Sequence, residues 1–379
     1  MNTLKTIAVG LSMSVGSLLA LLLVLEAVLR FTIDQPSELY ADLTYDRDLD
    51  AEFYRRSFLE LYPRDLDWRR DVYDPYLGWD QPYNSNTGGS RTVGTTTYDL
   101  QPADDVLRVV AIGDSFVFGS YVDSDETYPA YLETLLEDGE VLNMGVVGYG
   151  IDQAVLKYQA YGEQYEPDVV LLGTFPHNYI RTALPFYGYE KPLFEYDESA
   201  GTIRLTNTDI PPPQEVYAAL DRELDPPALY SLAFLRNRLT RVYWRLFGQD
   251  VKERYHRDVD RIVEHVLLKL QESAQATGAR LIVVQVPHGT GFRGEEAWQR
   301  AAEDATRTHL IALYEKLGIE YVDLLEEFRR RNSLDRVFDD LYIRVSEDLT
   351  GHLTPEGNLE VARIVKERLD ELGWEPRER

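Results

Sequence analysis

Residues 107–115 read LRVVAIGDS. Apart from Arg108, the first six are apolar, the pattern of a strand buried on both faces in a parallel sheet. The run stops at Gly113, and an acid and a hydroxyl, Asp114 and Ser115, follow at once. In open α/β sheets ligands gather at the carboxyl ends of such strands. Ser115 therefore stands where a nucleophile would stand, and the rest of the chain decides whether it is one.

Downstream the pattern repeats. YPAYLETLLE (128–137) has helical spacing, and EVLNMGVVGYG (140–150) holds a short strand and a glycine turn. IDQAVLKYQAYGEQY (151–165) predicts a helix and PDVVLLGTF (167–175) a strand. Later come a strand at RLIVVQV (280–286), a helix over 294–317, a strand at IEYVDL (319–324) and a helix over 355–372 that opens on Pro355. Strands alternating with helices predict an α/β fold, a parallel sheet with helices on both faces. Residues 180–278 interrupt the alternation with PPP at 211–213 and two helical segments, about 228–246 and 251–278. In the second, Val259, Ile262, Val266 and Leu270 form one apolar stripe. This insertion is either a cap over the site or a pair of helices on the sheet's flank. Residues 33–105 are irregular, and DPYLGWDQPYNSNTGGS (74–90) is rich in turns and aromatics. Those aromatics either pin the segment to the core or offer flat faces to a sugar. The expected organisation is an N-terminal segment 1–32, an extension 33–105, and a main domain 106–375 carrying the insertion 180–278.

The chain has 379 residues, 44% of them apolar, and a net charge of −26. Acid spread along its length argues against a nucleic-acid partner, whose phosphates would repel it. With no cysteine, disulfides, thiolate metal sites and thiol nucleophiles are excluded. The N-terminus differs from the rest. From Thr6 to Leu25 no residue is charged, and about 20 such residues span a hydrocarbon core. LLALLLVLEAVLRF shows no small-x-small cleavage site, so a retained membrane anchor is expected in preference to a signal peptide. Lys5 ahead of the run favours a cytoplasmic N-terminus. The expectation is a single-pass protein in contact with the lipid bilayer, its bulk on the extracytoplasmic side.

Hydrolysing an ester needs a nucleophile, a base, a group to orient the base, and donors for the developing oxyanion. Four segments could supply them. GDSF brings Ser115 and its own N–H. NMGVVGYG (143–150) brings Gly148, whose N–H is unobstructed by a side chain. LLGTFPHNYI (171–180) places Asn178 just after a strand, and EDLTGHLTPEGN (347–358) holds His352 before the last helix. Each piece alone is also an ordinary turn.

Taken in order, GDSF, NMGVVGYG, an asparagine after an apolar strand, and HLTPEG before a final helix resemble the SGNH (GDSL-type) hydrolase family over roughly 107–370. The DPYLGW segment resembles the opening of its membrane-anchored bacterial branch, some members of which add or remove acetyl groups on exported polysaccharides. The resemblance implies a flavodoxin-like three-layer α/β/α sandwich, working without a cofactor or metal. It implies Ser115 as nucleophile, His352 as base, and Ser115 N–H, Gly148 N–H and the Asn178 side chain as oxyanion donors. The family's acid stands two or three positions before the histidine. Here Thr350 and Leu349 occupy those positions. Asp348, four before, is the expected acid, with Glu347, Asp340 or a carbonyl oxygen as alternatives. Tyr179 replaces an aspartate common after the asparagine. His288, at a strand's carboxyl end, is the one rival base. His177 is expected at the pocket, and His256, His265 and His309 on helices as surface or packing residues. No HExxH, P-loop or dinucleotide-binding pattern occurs. The expected activity is that of a serine esterase working through an acyl-enzyme, its ester substrate including acylated carbohydrate. The alternatives are an O-acetyltransferase for an exported polysaccharide and a non-catalytic envelope binding protein.

Overall fold

A computed structural model describes residues 2–33, 39, 55, 72–80, 89–216, 218, 227–247, 249–287, 305–333, 336–344 and 350–374. Asp348, Glu347 and His288 lie outside the described residues. The chain forms two compact units. One comprises Met1–Asp67, Phe186–Gly188 and Pro211–His256, the other Trp68–Pro185, Tyr189–Ile210 and Arg257–Arg379.

The described elements, in chain order, begin with α1 (Asn2–Thr32), β1 (Tyr73–Asp74), β2 (Gly78–Trp79), β3 (Leu107–Ile112), α2 (Ser115–Phe118), α3 (Tyr128–Leu135) and β4 (Gly139–Asn143). Next are α4 (Ile151–Lys157), β5 (Val169–Thr174), α5 (Pro176–Thr182), β6 (Leu193–Asp197), β7 (Thr202–Thr206), α6 (Tyr230–Phe247) and α7 (Gln249–Ala276). The last are β8 (Arg280–Gln285), α8 (Ala305–Leu317), β9 (Glu320–Asp323), α9 (Leu324–Arg331), β10 (Tyr342–Arg344), β11 (Thr350–Leu353) and α10 (Pro355–Glu371).

The second unit is built on five parallel strands in the order β4-β3-β5-β8-β9. Val109 pairs with Val141 on one side and Val169 on the other. All six residues of β3 and all six of β5 are buried, as continuous apolar runs demand. Each such Val, Leu or Ile contributes about 1.5–3 kcal/mol. Arg108 is the exception within β3. Its guanidinium donates to Glu140 (Nε, 2.8 Å) and to the carbonyls of Asp99 (2.7 Å), Leu100 (3.0 Å) and Tyr165 (2.9 Å). Counted along the chain, the sheet order is 2-1-3-4-5, that of doubly wound flavodoxin-like sheets. The order reverses between β3 and β5, the topological switch point at whose strand ends open α/β sheets bind ligands. Ser115 follows β3 and Asn178 follows β5.

Several boundaries differ from the sequence reading. The helix expected over 151–165 is α-helical only to Lys157, then opens into a π turn over Tyr158–Gly162 and a 3-10 turn over Glu163–Tyr165. The helix expected over 294–317 is described as Ala305–Leu317. The insertion also carries an unforeseen antiparallel hairpin, Leu193↔Thr206 to Asp197↔Thr202. The stripe on α7 is buried as expected, with Val259, Ile262, Val266 and Leu270 each at most 1% exposed.

Hairpin β1–β2 settles the role of its aromatic side chain. Asp74 Oδ1 accepts the N–H groups of Tyr76 (2.8 Å) and Leu77 (2.7 Å), which shapes the turn. Trp79 is wholly buried, and its indole N–H donates to Val147 O at 2.9 Å. Tyr149 OH donates back to Trp79 O, and Gln153 Nε2 to Leu77 O. Trp79 is therefore an anchor, with no free face for a sugar. Two wholly buried lysines add ion pairs, Lys191 with Asp152 and Lys157 with Asp80.

In the first unit, Ser14–Thr32 of α1 is long and apolar enough to cross a membrane, and a signal sequence meets the same criterion.

Candidate active site

The turn that carries Ser115 is built by local capping. Asp114 is the N-cap of α2, its Oδ1 accepting Phe116 N–H at 3.0 Å. Ser115 is the first helical residue, so its N–H has no partner inside the helix. Gly119 ends the helix, and the Arg91 guanidinium closes it. Arg91 Nη1 donates to Phe118 O and Gly119 O at 2.7 Å each, and Nη2 to Val122 O at 2.7 Å. A cation there also complements the helix dipole. The β4–α4 loop presses on the helix at Gly145, where an added Cβ would lie 2.3 Å from Phe118 N. Only glycine allows that approach.

Gly148 occupies the third position of the turn Val146–Tyr149, closed by Tyr149 N–H to Val146 O at 3.3 Å. Its φ is +88°, as a type II turn requires at that position. The turn's own hydrogen bond leaves Gly148 N–H unused.

His352 was expected in a loop and instead lies on β11, which pairs antiparallel with β10 through Tyr342↔Leu353 and Arg344↔Thr350. Two residues later Thr354 caps α10, accepting Gly357 N–H at 3.1 Å, with Pro355 in the first turn. Asn358 Oδ1 accepts Tyr128 N–H at 3.0 Å, which ties α10 to α3. This frame brings His352 Nε2 to 2.8 Å from Ser115 Oγ across 237 residues of sequence. With the ring proton on Nδ1, Nε2 accepts from the serine hydroxyl. The ring packs on Phe116 (4.9 Å between centroids) and Tyr121 (5.3 Å). Tyr121 is 81% exposed, with φ +71°.

Asn178 joins the cluster with both amide protons engaged. Nδ2 donates to Tyr149 O at 2.8 Å and to Asp114 Oδ2 at 3.1 Å, while Oδ1 accepts Phe175 N–H at 2.6 Å. Asp114 Oδ2 also accepts from Arg181 Nη1 at 3.1 Å. The Arg181 guanidinium lies 4.9 Å from the Phe175 ring centroid. Asp114, Arg91 and Arg181 are thus structural members of the site that the motif reading passed over. Arg181 stands one helical turn after Asn178, which was the available signal.

Burial lowers the His352 pKa below its ordinary 6.5, with the Asp114 carboxylate pulling it up and the Arg181 cation pushing it down. Arg181→Gln removes that cation and leaves Asp114 less neutralised, and both changes favour the imidazolium. We expect the acid limb of the pH–rate profile to move to higher pH, and Arg181→Lys to return it towards wild type. An unmoved limb would remove Arg181 from the electrostatics of His352.

Among the described residues no carboxylate is hydrogen-bonded to the His352 ring. Asp340 is exposed, and the contact it makes with Thr354 is through its carbonyl. His177 is exposed and stacked on Phe175 at 5.4 Å. His309 pairs with Asp260 at 2.7 Å, and His265 packs edge-on against Phe194. Tyr179 is buried and donates to Asp260. A separate cleft of about 500 Å³ beside β9 holds no serine or histidine in its lining, and Arg331 there is paired with Glu327 and Glu367.

The chain is similar to several solved structures. A G-D-S-L family protein from Desulfitobacterium hafniense is 14% identical, with 69% of this chain and 98% of that one covered and a TM-score of 0.37. An acetylxylan esterase from Geobacillus stearothermophilus is 14% identical over 72% of this chain and 97% of its own, with a TM-score of 0.38. A GDSL-like lipase from Bacteroides thetaiotaomicron is 14% identical over 72% and 92% respectively, with a TM-score of 0.37. No family model and no curated protein matches the sequence.

Proposed function

We propose that this protein is a serine esterase acting through an acyl-enzyme, with O-acetyl groups on a glycan as its substrate class. The observation that carries the reading is the 2.8 Å contact between Ser115 Oγ and His352 Nε2, at the end of the sheet where its strand order reverses. Neutral His352 takes the hydroxyl proton as Oγ bonds to the ester carbonyl carbon. The carbonyl oxygen becomes an oxyanion, which the N–H groups of Ser115 and Gly148 meet. Asn178 becomes the third donor by releasing Asp114, the longer of its two bonds. As the tetrahedral intermediate collapses, the ester C–O bond breaks and His352 protonates the leaving alcohol. Water then attacks the acyl-serine with the same histidine as base, the bond from the acyl carbon to Ser115 Oγ breaks as His352 returns the proton to Oγ, and the acid returns to solution. Asp348 is the acid we assign to orient the imidazole. Tyr121 offers an exposed ring to the leaving group. Arrival of a sugar hydroxyl in place of water would make the same site an acetyltransferase. An anchored α1 would place this chemistry outside the cytoplasm.

The test is covalent. A fluorophosphonate should label the wild-type chain on the peptide containing Ser115, and Ser115→Ala should abolish both labelling and turnover of a short aryl ester. Equal labelling of the two proteins would overturn the assignment. Acetyl release measured with and without an added oligosaccharide separates hydrolysis from transfer.

A further inference from the structure

We propose that α6 lies flat in the headgroup layer of an anionic bilayer, its apolar stripe at the acyl boundary and its arginines against lipid phosphates. The proposal rests on α1 spanning the membrane. It starts from charge. In a chain of net charge −26, residues 230–247 carry four arginines, Arg236, Arg238, Arg241 and Arg245, and no acid. Such a helix is complementary to lipid phosphate and out of character with the rest of the protein.

The apolar face points the same way. Leu232, Leu239, Tyr243 and Leu246 fall on one helical stripe by their spacing. Their exposures are 53%, 66%, 54% and 65%. Ser231 and Asn237 face the protein: Ser231 is buried, and Asn237 Nδ2 donates to Leu39 O at 2.9 Å. The exposed stripe therefore lies on the side turned away from the unit.

Position supplies the third argument. The start of α6 is fastened to the last turns of α1. Glu26 accepts the backbone N–H groups of Tyr230 (3.1 Å) and Ser231 (2.7 Å). Arg30 donates to Ala228 O at 2.9 Å, and its guanidinium lies 4.7 Å from the Tyr230 ring centroid. Glu26 is the first charge after the uncharged run Thr6–Leu25. At 1.5 Å per residue that run spans about 30 Å, one hydrocarbon thickness. Glu26 and the start of α6 therefore sit at headgroup depth, where an amphipathic helix with an arginine-rich polar face is stable.

The absence of cysteine makes a clean test available. The full chain, carrying Leu239→Cys or Leu246→Cys labelled with an environment-sensitive dye, is reconstituted into vesicles of phosphatidylcholine with or without phosphatidylglycerol. Leu21→Cys reports on α1, and Glu371→Cys is a water-exposed reference. Dyes at 239 and 246 should be quenched by headgroup-region nitroxide lipids at least about threefold more than the dye at 371. Arg236→Gln, Arg238→Gln and Arg241→Gln together should reduce that quenching in the anionic vesicles. Iodide quenching at 239 and 246 equal to that at 371, with the dye at 21 protected, would overturn the proposal and leave the anchor standing. A water-exposed dye at 21 would overturn both. Dyes at 239 and 246 shielded from lipid and iodide alike would overturn it in favour of contact between protein copies.

Discussion

His352→Gln should lower kcat for a short aryl ester by about 10²- to 10⁴-fold, the usual contribution of a positioned general base. Glutamine nearly fills the space between Phe116 and Tyr121 and can still hydrogen-bond Ser115, but it cannot take a proton. Because His352 is only partly buried and pairs with the serine hydroxyl alone among the described residues, the unfolding midpoint should change little. Rate and stability thus separate, as a purely structural role would not allow. In the proposed mechanism His352 works when neutral. Burial holds its pKa below 6.5, so activity should rise through an acid limb below that value and stay level into neutral pH. His352→Gln should abolish the limb along with most of the rate. Retention of wild-type kcat would remove the histidine from the chemistry.

The largest effect on stability should come from Lys191→Met. Lys191 and Asp152 are both wholly inaccessible and form an ion pair, and Lys191 Nζ also donates to Leu184 O at 3.1 Å. Burial pushes the Asp152 carboxyl up even against the pull of Lys191, so desolvation is the stronger influence. Removing the cation leaves a buried carboxylate uncompensated, at a cost of roughly 3–5 kcal/mol. Replacing both partners, Lys191→Met with Asp152→Leu, should recover most of the loss, because a pair so deeply desolvated adds little net stability over apolar packing. Urea unfolding of the two variants, followed by tryptophan fluorescence, makes the comparison. A single variant within about 1 kcal/mol of wild type would mean that water reaches Asp152.

The sheet was readable because its central strands are buried on both faces, so sequence and environment agree along Leu107–Ile112 and Val169–Thr174 at every residue but Arg108 and Thr174. Ser115 and His352 could be singled out as candidates because short-range chemistry marks them: a strand stopping at an acid and a hydroxyl, and a histidine ahead of a Thr-Pro helix start; that the two meet follows from the fold. What escaped depends on reach. Arg91 holds carbonyls about 30 residues away in sequence, which no local pattern signals, while Arg181 pairs with Asp114 from α5, one helical turn after Asn178. Asn178 was a candidate donor by residue type, while the engagement of both its protons follows from where Tyr149 and Asp114 come to lie. Hairpin β6–β7 carries a period-2 pattern, but the surrounding prolines and tyrosines obscured it.

The burial of Trp79 has a practical consequence for trimming this protein. A version shortened to begin at residue 106, where regular alternation starts, would lose the indole that fills the space beside the 147–149 turn. It would also strip the partners from Val147 O and the Tyr149 hydroxyl, and remove the Arg91 plug behind Phe118. Residues 72–80 and 89–105 are thus a splint for the loops that surround Ser115, and an excised fragment lacking them should be soluble at best and inert.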